Sequence, residues 1–344
     1  MQREAKSTQV RLVFSSLISF SGCPMRIAVL DSFTADQGDD CWSALRELGD
    51  VRLFPRTTPA DVVERARGCQ IILTNKVIID AATIAALVSD GLRYIGVTAT
   101  GTNVVDLAAA KAHGVVVTNV PGYSTASVAQ LVMALVLHFT TDVAGHSTQA
   151  KAGVWANGPD FCFFTQPLTE LAEKTLVIVG MGAIGNALSR ITTAFGMRVI
   201  AAAVPGSPTQ NRMALNEALP QADIVSLHCP LTPATTALVN AAFLQSLKRG
   251  ALLINTGRGP LLDETAVVQA LASGHLGGLG IDVLSKEPPA AHHPFLDRTQ
   301  PWASRVVVTP HIAWGTVEAR ARLIHEVSAN VAAFKNGSFR NRVG

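Results

Sequence analysis

The sequence predicts an α/β protein built from two doubly wound parallel-sheet domains. Three observations predict it. From residue 26 onward short apolar runs alternate with helical stretches, and Asp and Gly punctuate the junctions. The alternation stops at Pro121-Gly122-Tyr123 and a long apolar helix, then starts again. The 344 residues are 48% hydrophobic and only 15% charged, a composition that suits two large cores and buried sheets.

In chain order, the first set predicts strands at Ile27–Leu30, Val51–Phe54, Ile71–Thr74, Leu92–Val97 and Val115–Thr118. Predicted helices fall between them at Asp40–Leu48, Ala60–Arg67, Ala81–Val88 and Val104–Ala112. The apolar helix, Thr125 to Ala150, is either a core helix or a subunit interface, and its length suits a bridge between domains. Trp155 to Leu168 is irregular and aromatic, a segment that either covers the core or lines a substrate mouth. The second set predicts strands at Leu176–Val179, Arg198–Ala202, Ile224–Leu227, Ala251–Asn255, Leu279–Val283 and Val306–Thr309. A last helix, Thr316 to Asn336, ends at Gly337, which suits a C-cap. The expected domains are therefore 25–123 with 315–344, and 124–314.

Residues 1–24 are expected to be an extension outside the fold. Arg3, Lys6 and Arg11 precede the apolar stretch Leu12 to Phe20 and Ser21-Gly22-Cys23, as in a signal peptide, even a lipoprotein one. Against that, the first strand begins at once after Met25. The net charge is +3 with no basic run, so no nucleic-acid partner is implied. Val128 to Phe139 is too short for a membrane span and carries Gln130 and His138. The five cysteines, Cys23, Cys41, Cys69, Cys162 and Cys229, are scattered, with no pair spaced as a metal clamp or redox motif. That pattern points to no metal site and to a reducing, cytoplasmic compartment.

The second set opens with Gly180-Met181-Gly182-Ala183-Ile184-Gly185, after the apolar run Thr175–Val179 and before a helical run from Asn186 to Phe195. Strand, G-x-G-x-x-G and helix together make a dinucleotide-binding fingerprint. Gly180 permits the tight turn, Gly182 lets the backbone approach a pyrophosphate, and Gly185 lets helix and strand pack closely. The helix start offers free N–H groups and a positive dipole end to the phosphates.

Ligands of open parallel sheets bind beyond the carboxyl ends of the strands. The polar residues of this chain cluster there: Ala99-Thr100-Gly101, His228-Cys229-Pro230, Thr256-Gly257-Arg258, Asp282 with Glu287, and His311. A nicotinamide enzyme acting on an alcohol needs a base, a group that tunes it, and a substrate anchor. His311 is the candidate base, since imidazole titrates near neutral pH. Glu287 is the candidate carboxylate that holds its tautomer and stabilises imidazolium. Arg258 is the candidate anchor, because a guanidinium grips a carboxylate with two parallel hydrogen bonds.

These motifs, with Asn255-Thr256-Gly257-Arg258-Gly259, Asp282-Val283-Leu284-Ser285-Lys286-Glu287-Pro288 and Thr309-Pro310-His311, resemble those of the D-isomer-specific 2-hydroxyacid dehydrogenases over nearly all of residues 25–337. The resemblance implies a flavodoxin-like substrate domain, a Rossmann cofactor domain and a homodimer. It implies that Arg258 binds the substrate carboxylate and that His311, paired with Glu287, is the acid/base. It further implies substrate contacts from backbone N–H groups of Ala99-Thr100-Gly101. Asp282 is implied near the nicotinamide, and His228, Cys229, Pro230 and Thr235 on the adenosine side. Gly101-Thr102-Asn103-Val104-Val105-Asp106 and Pro310-His311-Ile312-Ala313-Trp314-Gly315 look most like glycerate dehydrogenases, which reduce hydroxypyruvate or glyoxylate. A long phosphoglycerate dehydrogenase with an additional regulatory domain is not expected, nor is a formate dehydrogenase, since Glu287 stands where those carry an uncharged partner. From another class, some relatives of this fold are corepressor-type binding proteins that sense the cofactor.

One departure concerns the cofactor. The fingerprint's second strand usually ends on an acid that binds the ribose hydroxyls. Here Ala202, Ala203 and Val204 stand in that place, and the loop Pro205-Gly206-Ser207-Pro208-Thr209-Gln210-Asn211-Arg212 follows. The expectation is use of both NAD and NADP, with Ser207 and Arg212 as candidate phosphate contacts.

Overall fold

The computed structural model describes residues 24–38, 41–208 and 210–344. The expected extension up to residue 23, Asp40 at the predicted start of the first helix, and Thr209 of the cofactor loop lie outside the described residues. Among the described residues twelve strands follow in chain order: β1 Arg26–Val29, β2 Asp50–Leu53, β3 Ile71–Thr74, β4 Tyr94–Val97, β5 Val116–Thr118, β6 Thr175–Val179, β7 Arg198–Ala202, β8 Ile224–Leu227, β9 Ala251–Asn255, β10 Leu276–Ile281, β11 Val306–Val308 and β12 Arg342–Val343. The chain divides into two compact units, one comprising the chain up to Tyr123 together with Val317–Gly344, the other Ser124–Thr316.

The first unit holds a sheet in the order β12-β5-β4-β3-β1-β2. Five strands are parallel, in the flavodoxin-like order, with the direction of winding switching between β1 and β3. Parallel strands covered on both faces read as unbroken apolar runs, and Ile71–Thr74 and Tyr94–Val97 are buried at every position. Each fully buried Ile, Leu or Val there contributes about 1.5–3 kcal/mol of transfer free energy. β12 was not expected from sequence. It pairs antiparallel with β5, Arg342 opposite Thr118, and closes that edge.

The second unit holds a parallel sheet in the order β11-β10-β9-β8-β6-β7. Beyond β7 a single residue continues it: Met213 N–H donates to Ala201 O at 2.9 Å, and Ala203 N–H donates to Met213 O at 2.8 Å. With Met213 as a one-residue third strand, the order becomes that of a Rossmann sheet, switching direction between β6 and β8.

The long apolar helix is two helices, Thr125–Thr141 and Val143–Lys151, bent by 54°. Asp142 breaks it with a left-handed backbone, φ 45°, and its carboxylate caps the second helix by accepting from Gly145 N–H. The first helix packs on the helix Ala183–Ala194 and on β9 and β10, burying Ala129, Val132, Leu135 and Val136 within its own unit. Among the described residues no single helix is long and apolar enough to cross a membrane. The segment Trp155 to Leu168 does not cover the core: Phe161 is 89% exposed and Phe164 66%. Near the amino end the helices are shorter than the pattern suggested, Ser43–Arg46 and Val62–Ala66.

Candidate active site

In the second unit, β11, β10, β9, β8 and β6 lie side by side and end on one edge. At about 4.8 Å per strand the edge spans roughly 19 Å from the end of β11 to the end of β6. His311 follows β11, Asp282 and Glu287 follow β10, Thr256 and Arg258 follow β9, His228 follows β8 and Gly180 follows β6. The topology therefore gathers the predicted residues of this unit in one row.

At the β6 end the turn needs its glycines. Gly180 has φ +107°, and a β-carbon there would lie 2.6 Å from the backbone of His228 and Cys229. A β-carbon on Gly185 would lie 2.5 Å from Gly180 O, so helix and strand close up only without it. At Gly182 a β-carbon would meet nothing within 4 Å, which leaves that face of the turn open. Gly182 is the N-cap of the helix Ala183–Ala194, and no side chain caps it. The first-turn amides, Ala183 and Ile184 among them, are thus left to an external acceptor. An open hollow of about 440 Å³ adjoins the turn, with Gly182, Ser207, Arg212 and His228 in its wall. Another, of about 510 Å³, lies at the opposite edge beside Lys174, Asp223 and Lys248, away from the strand ends where ligands of such sheets bind.

Of the remaining cofactor-side residues, Pro230 is exposed, His228 half-buried, and Cys229, Thr235 and Thr256 buried. The His228 imidazole contacts Ser226 Oγ at 2.9 Å, and burial pushes it down to about 4, so it is neutral near pH 7. Cys229 is buried, with its thiol pushed up to about 11 by desolvation. Thr235 is fully buried; its hydroxyl donates to Pro230 O at 2.7 Å and accepts from Thr232 N–H at 2.8 Å. Its side chain shapes the Pro230 turn and has no surface for a ligand. Thr256 Oγ1 is buried with no hydrogen-bond partner among the described residues, an orphan that a ligand atom at the end of β9 would satisfy. The open Gly182 face, the uncapped helix start and this orphan hydroxyl fit a bound dinucleotide.

At the chemical end of the row, His311 Nδ1 lies 2.6 Å from Glu287 Oε2. Glu287 Oε1 accepts from Leu284 N–H at 3.0 Å, so both carboxylate oxygens are engaged. This fixes the tautomer with the proton on Nδ1. Nε2 has no partner among the described residues, and the ring is 25% exposed. His311 has a left-handed backbone, φ 56°, which a residue bearing a β-carbon adopts only when its surroundings impose it. Asp282 imposes it. That carboxylate accepts from Thr309 Oγ1 at 2.6 Å, Ile312 N–H at 2.9 Å and Ala313 N–H at 2.9 Å, and Asp282 O accepts from His311 N–H at 2.8 Å. Asp282 is 1% exposed, and desolvation pushes its carboxyl above the usual range while these donors pull the other way. Its visible work is to shape the loop that carries His311.

Arg258 stands on a turn that Asn255 clamps: Asn255 Nδ2 donates to Arg258 O at 2.9 Å, and Asn255 Oδ1 accepts from Gly257 N–H at 3.0 Å. Among the described residues the half-buried guanidinium makes one bond, to Gly257 O at 2.8 Å, which leaves most of its donors for an anion. In the other unit, Ala99-Thr100-Gly101 follows β4. Thr100 Oγ1 donates to Val120 O, and Asn119 Nδ2 donates to Thr100 O at 2.7 Å. The amides of Thr100 and Gly101 donate to nothing among the described residues.

Two features escaped the sequence reading. At the β1/β3 switch point of the first sheet, the Asp31 carboxylate accepts from the backbone N–H groups of Asn75, Lys76 and Val77. An Asp directly after the first predicted strand was the available signal. Behind the Glu287 loop, Glu264 binds Ser285 and His293, for which the linear sequence holds no signal. No cluster of His, Cys, Asp or Glu able to hold a metal occurs among the described residues.

Residues 133–313 match the family profile described as D-isomer specific 2-hydroxyacid dehydrogenase, NAD binding domain. The chain is 37% identical to a hydroxypyruvate reductase from Blautia hydrogenotrophica, over 91% of this chain and 98% of that one. It is 39% identical to a glycerate dehydrogenase from Methylorubrum extorquens, over 83% and 89%. The crystal structure of the TT0316 protein from Thermus thermophilus superimposes with a TM-score of 0.80 at 34% identity, covering 93% of this chain and all of that one.

Proposed function

This chain belongs to the D-isomer-specific 2-hydroxyacid dehydrogenases, enzymes that move a hydride between a nicotinamide cofactor and a 2-hydroxy/2-oxo acid pair, and from that premise we propose that it interconverts hydroxypyruvate and D-glycerate, with glyoxylate as a second 2-oxo acid. The observation that carries the chemistry is the 2.6 Å contact between His311 and Glu287. In reduction, His311 delivers a proton from Nε2 to the substrate carbonyl oxygen, and Glu287 steadies the imidazolium. Arg258 grips the substrate carboxylate with its planar fork of donors. The cofactor, held by Gly180, Gly182, Ala183, Ile184 and Thr256, supplies the hydride when bound. The names of two relatives with similar sequences support the hydroxypyruvate/glycerate pair.

NADH and NADPH both serve in this reading. Ala203 offers no acid to repel a 2′-phosphate, and Ser207 and Arg212 share a hollow with Gly182. The protein works as a homodimer in the cytoplasm. Exposed Trp155, Phe161 and Phe164 supply apolar surface for a second copy, and the four described cysteines are free thiols. The test is cofactor oxidation with hydroxypyruvate, glyoxylate, pyruvate and phenylpyruvate, using NADH and NADPH. Hydroxypyruvate should give the highest kcat/KM; no turnover with any of the four would overturn the reading.

A further inference from the structure

We propose that Glu264 is a positioning residue for the acid/base pair, acting through Ser285. The proposal rests on the reading of His311 and Glu287 given above. Glu264 opens the helix Glu264–Ala272, six residues after Arg258 along the chain. Its Oε1 accepts from Ser285 Oγ at 2.6 Å and from Ser285 N–H at 3.2 Å. Its Oε2 lies 3.2 Å from His293 Nε2. His293 Nδ1 accepts from Phe295 N–H at 3.3 Å, which leaves the Nε2 side of the ring to face Glu264. His293 is nearly buried and Glu264 partly so, which keeps water from competing freely for these bonds.

The consequence lies in the loop between Ser285 and Glu287. Leu284 N–H donates to Glu287 Oε1, and Ser285 is the next residue. Glu264 therefore holds Ser285 by main chain and side chain, one peptide unit from the amide that orients the Glu287 carboxylate. A second carboxylate–imidazole pair stands behind the first and fixes the loop that sets where Glu287 meets His311. Without Glu264 the loop has one anchor fewer, and the Glu287–His311 contact spends time broken.

The test uses the full-length enzyme with hydroxypyruvate and NADH. Glu264→Ala should lower kcat for reduction roughly ten- to a hundredfold, as misplacement of a catalytic group does. The fall of the rate with rising pH should begin at lower pH, while NADH binding, read by fluorescence, stays as in the parent. Glu264→Gln retains an oxygen for Ser285 and should recover part of the loss. Glu287→Gln should shift the pH profile in the same direction, and adding Glu264→Ala to it should give no further shift. If Glu264→Ala fails to fold, Ser285→Ala, which deletes only the 2.6 Å bond, should shift the profile the same way by less. A parent-like kcat and pH profile in Glu264→Ala, or a further shift when it is added to Glu287→Gln, overturns the proposal alone. A parent-like profile in Glu287→Gln overturns the reading of the pair, and this proposal with it.

Discussion

Gly259 and Leu284 stand so close that a β-carbon on Gly259 would lie 2.0 Å from the Leu284 carbonyl carbon. The turn that carries Arg258 and the loop that carries Glu287 thus meet backbone to backbone, with no room for a side chain. Gly259→Ala must push them apart. It should cost about 2 kcal/mol of stability, in the range for overpacking. It should also lower kcat/KM at least tenfold by displacing both residues. A thermal melt and steady-state kinetics check it; parent-like values in both would mean that the contact yields without consequence.

Arg258→Lys keeps the positive charge and loses the planar fork. KM for hydroxypyruvate should rise and kcat/KM should fall about a hundredfold, near 2.7 kcal/mol. Cofactor affinity should hold, since the residue is assigned to the substrate. Titration of NADH binding beside the kinetics separates the two, and an unchanged KM removes Arg258 from the anchor role.

The cofactor reading turns on Ala203. NADPH should work within about tenfold of NADH, a gap of roughly 1.4 kcal/mol. Ala203→Asp should favour NADH, mainly by repelling the 2′-phosphate of NADPH. The measurement is kcat/KM for each cofactor in each protein. A parent that already rejects NADPH a thousandfold has another group excluding the phosphate.

His228 gives a stability prediction with a definite sign. Its folded-state value of about 4 lies below the ordinary 6.5, so between those values the unfolded chain binds a proton that the folded chain does not. Stability is lost as pH falls through that window. His228→Gln has no such loss. Its stability deficit relative to the parent should therefore shrink by about 1 kcal/mol between pH 7.5 and pH 5, after discounting for the partly exposed ring. Melts of both proteins at the two pH values read it, and a constant difference contradicts it.

Much of this was legible in the sequence because the signals were local. Strands buried on both faces, such as Ile71–Thr74 and Ile224–Leu227, betray themselves as apolar runs whatever surrounds them. The glycine turn after β6 is marked by three glycines at fixed spacing, and strand ends place Arg258, Glu287 and His311 without knowledge of contacts. What stayed hidden depends on distant partners. Met213 is a strand only because β7 lies beside it, and β12 only because β5 has a free edge. Asp142 reads as an ordinary polar residue within the predicted helix Thr125 to Ala150 until its left-handed backbone shows the break. Glu264 looks like any acid in a first helical turn; its partners lie 21 and 29 residues away along the chain.

The first unit is assembled from both ends of the chain, and this has a consequence for biosynthesis. β5 leaves the ribosome early, but its edge partner β12 and the helix Val317–Lys335 are made only after all of Ser124–Thr316. At about 5–20 residues per second, that interval is roughly 10–40 seconds. Throughout it the nascent sheet carries an unpaired edge at Val116–Thr118, open to pairing with another chain. The second unit, continuous in sequence, can complete its core before the first can. Emerging chains therefore carry a point open to misassembly at a three-residue strand of the first unit, far along the chain from Arg258, Glu287 and His311.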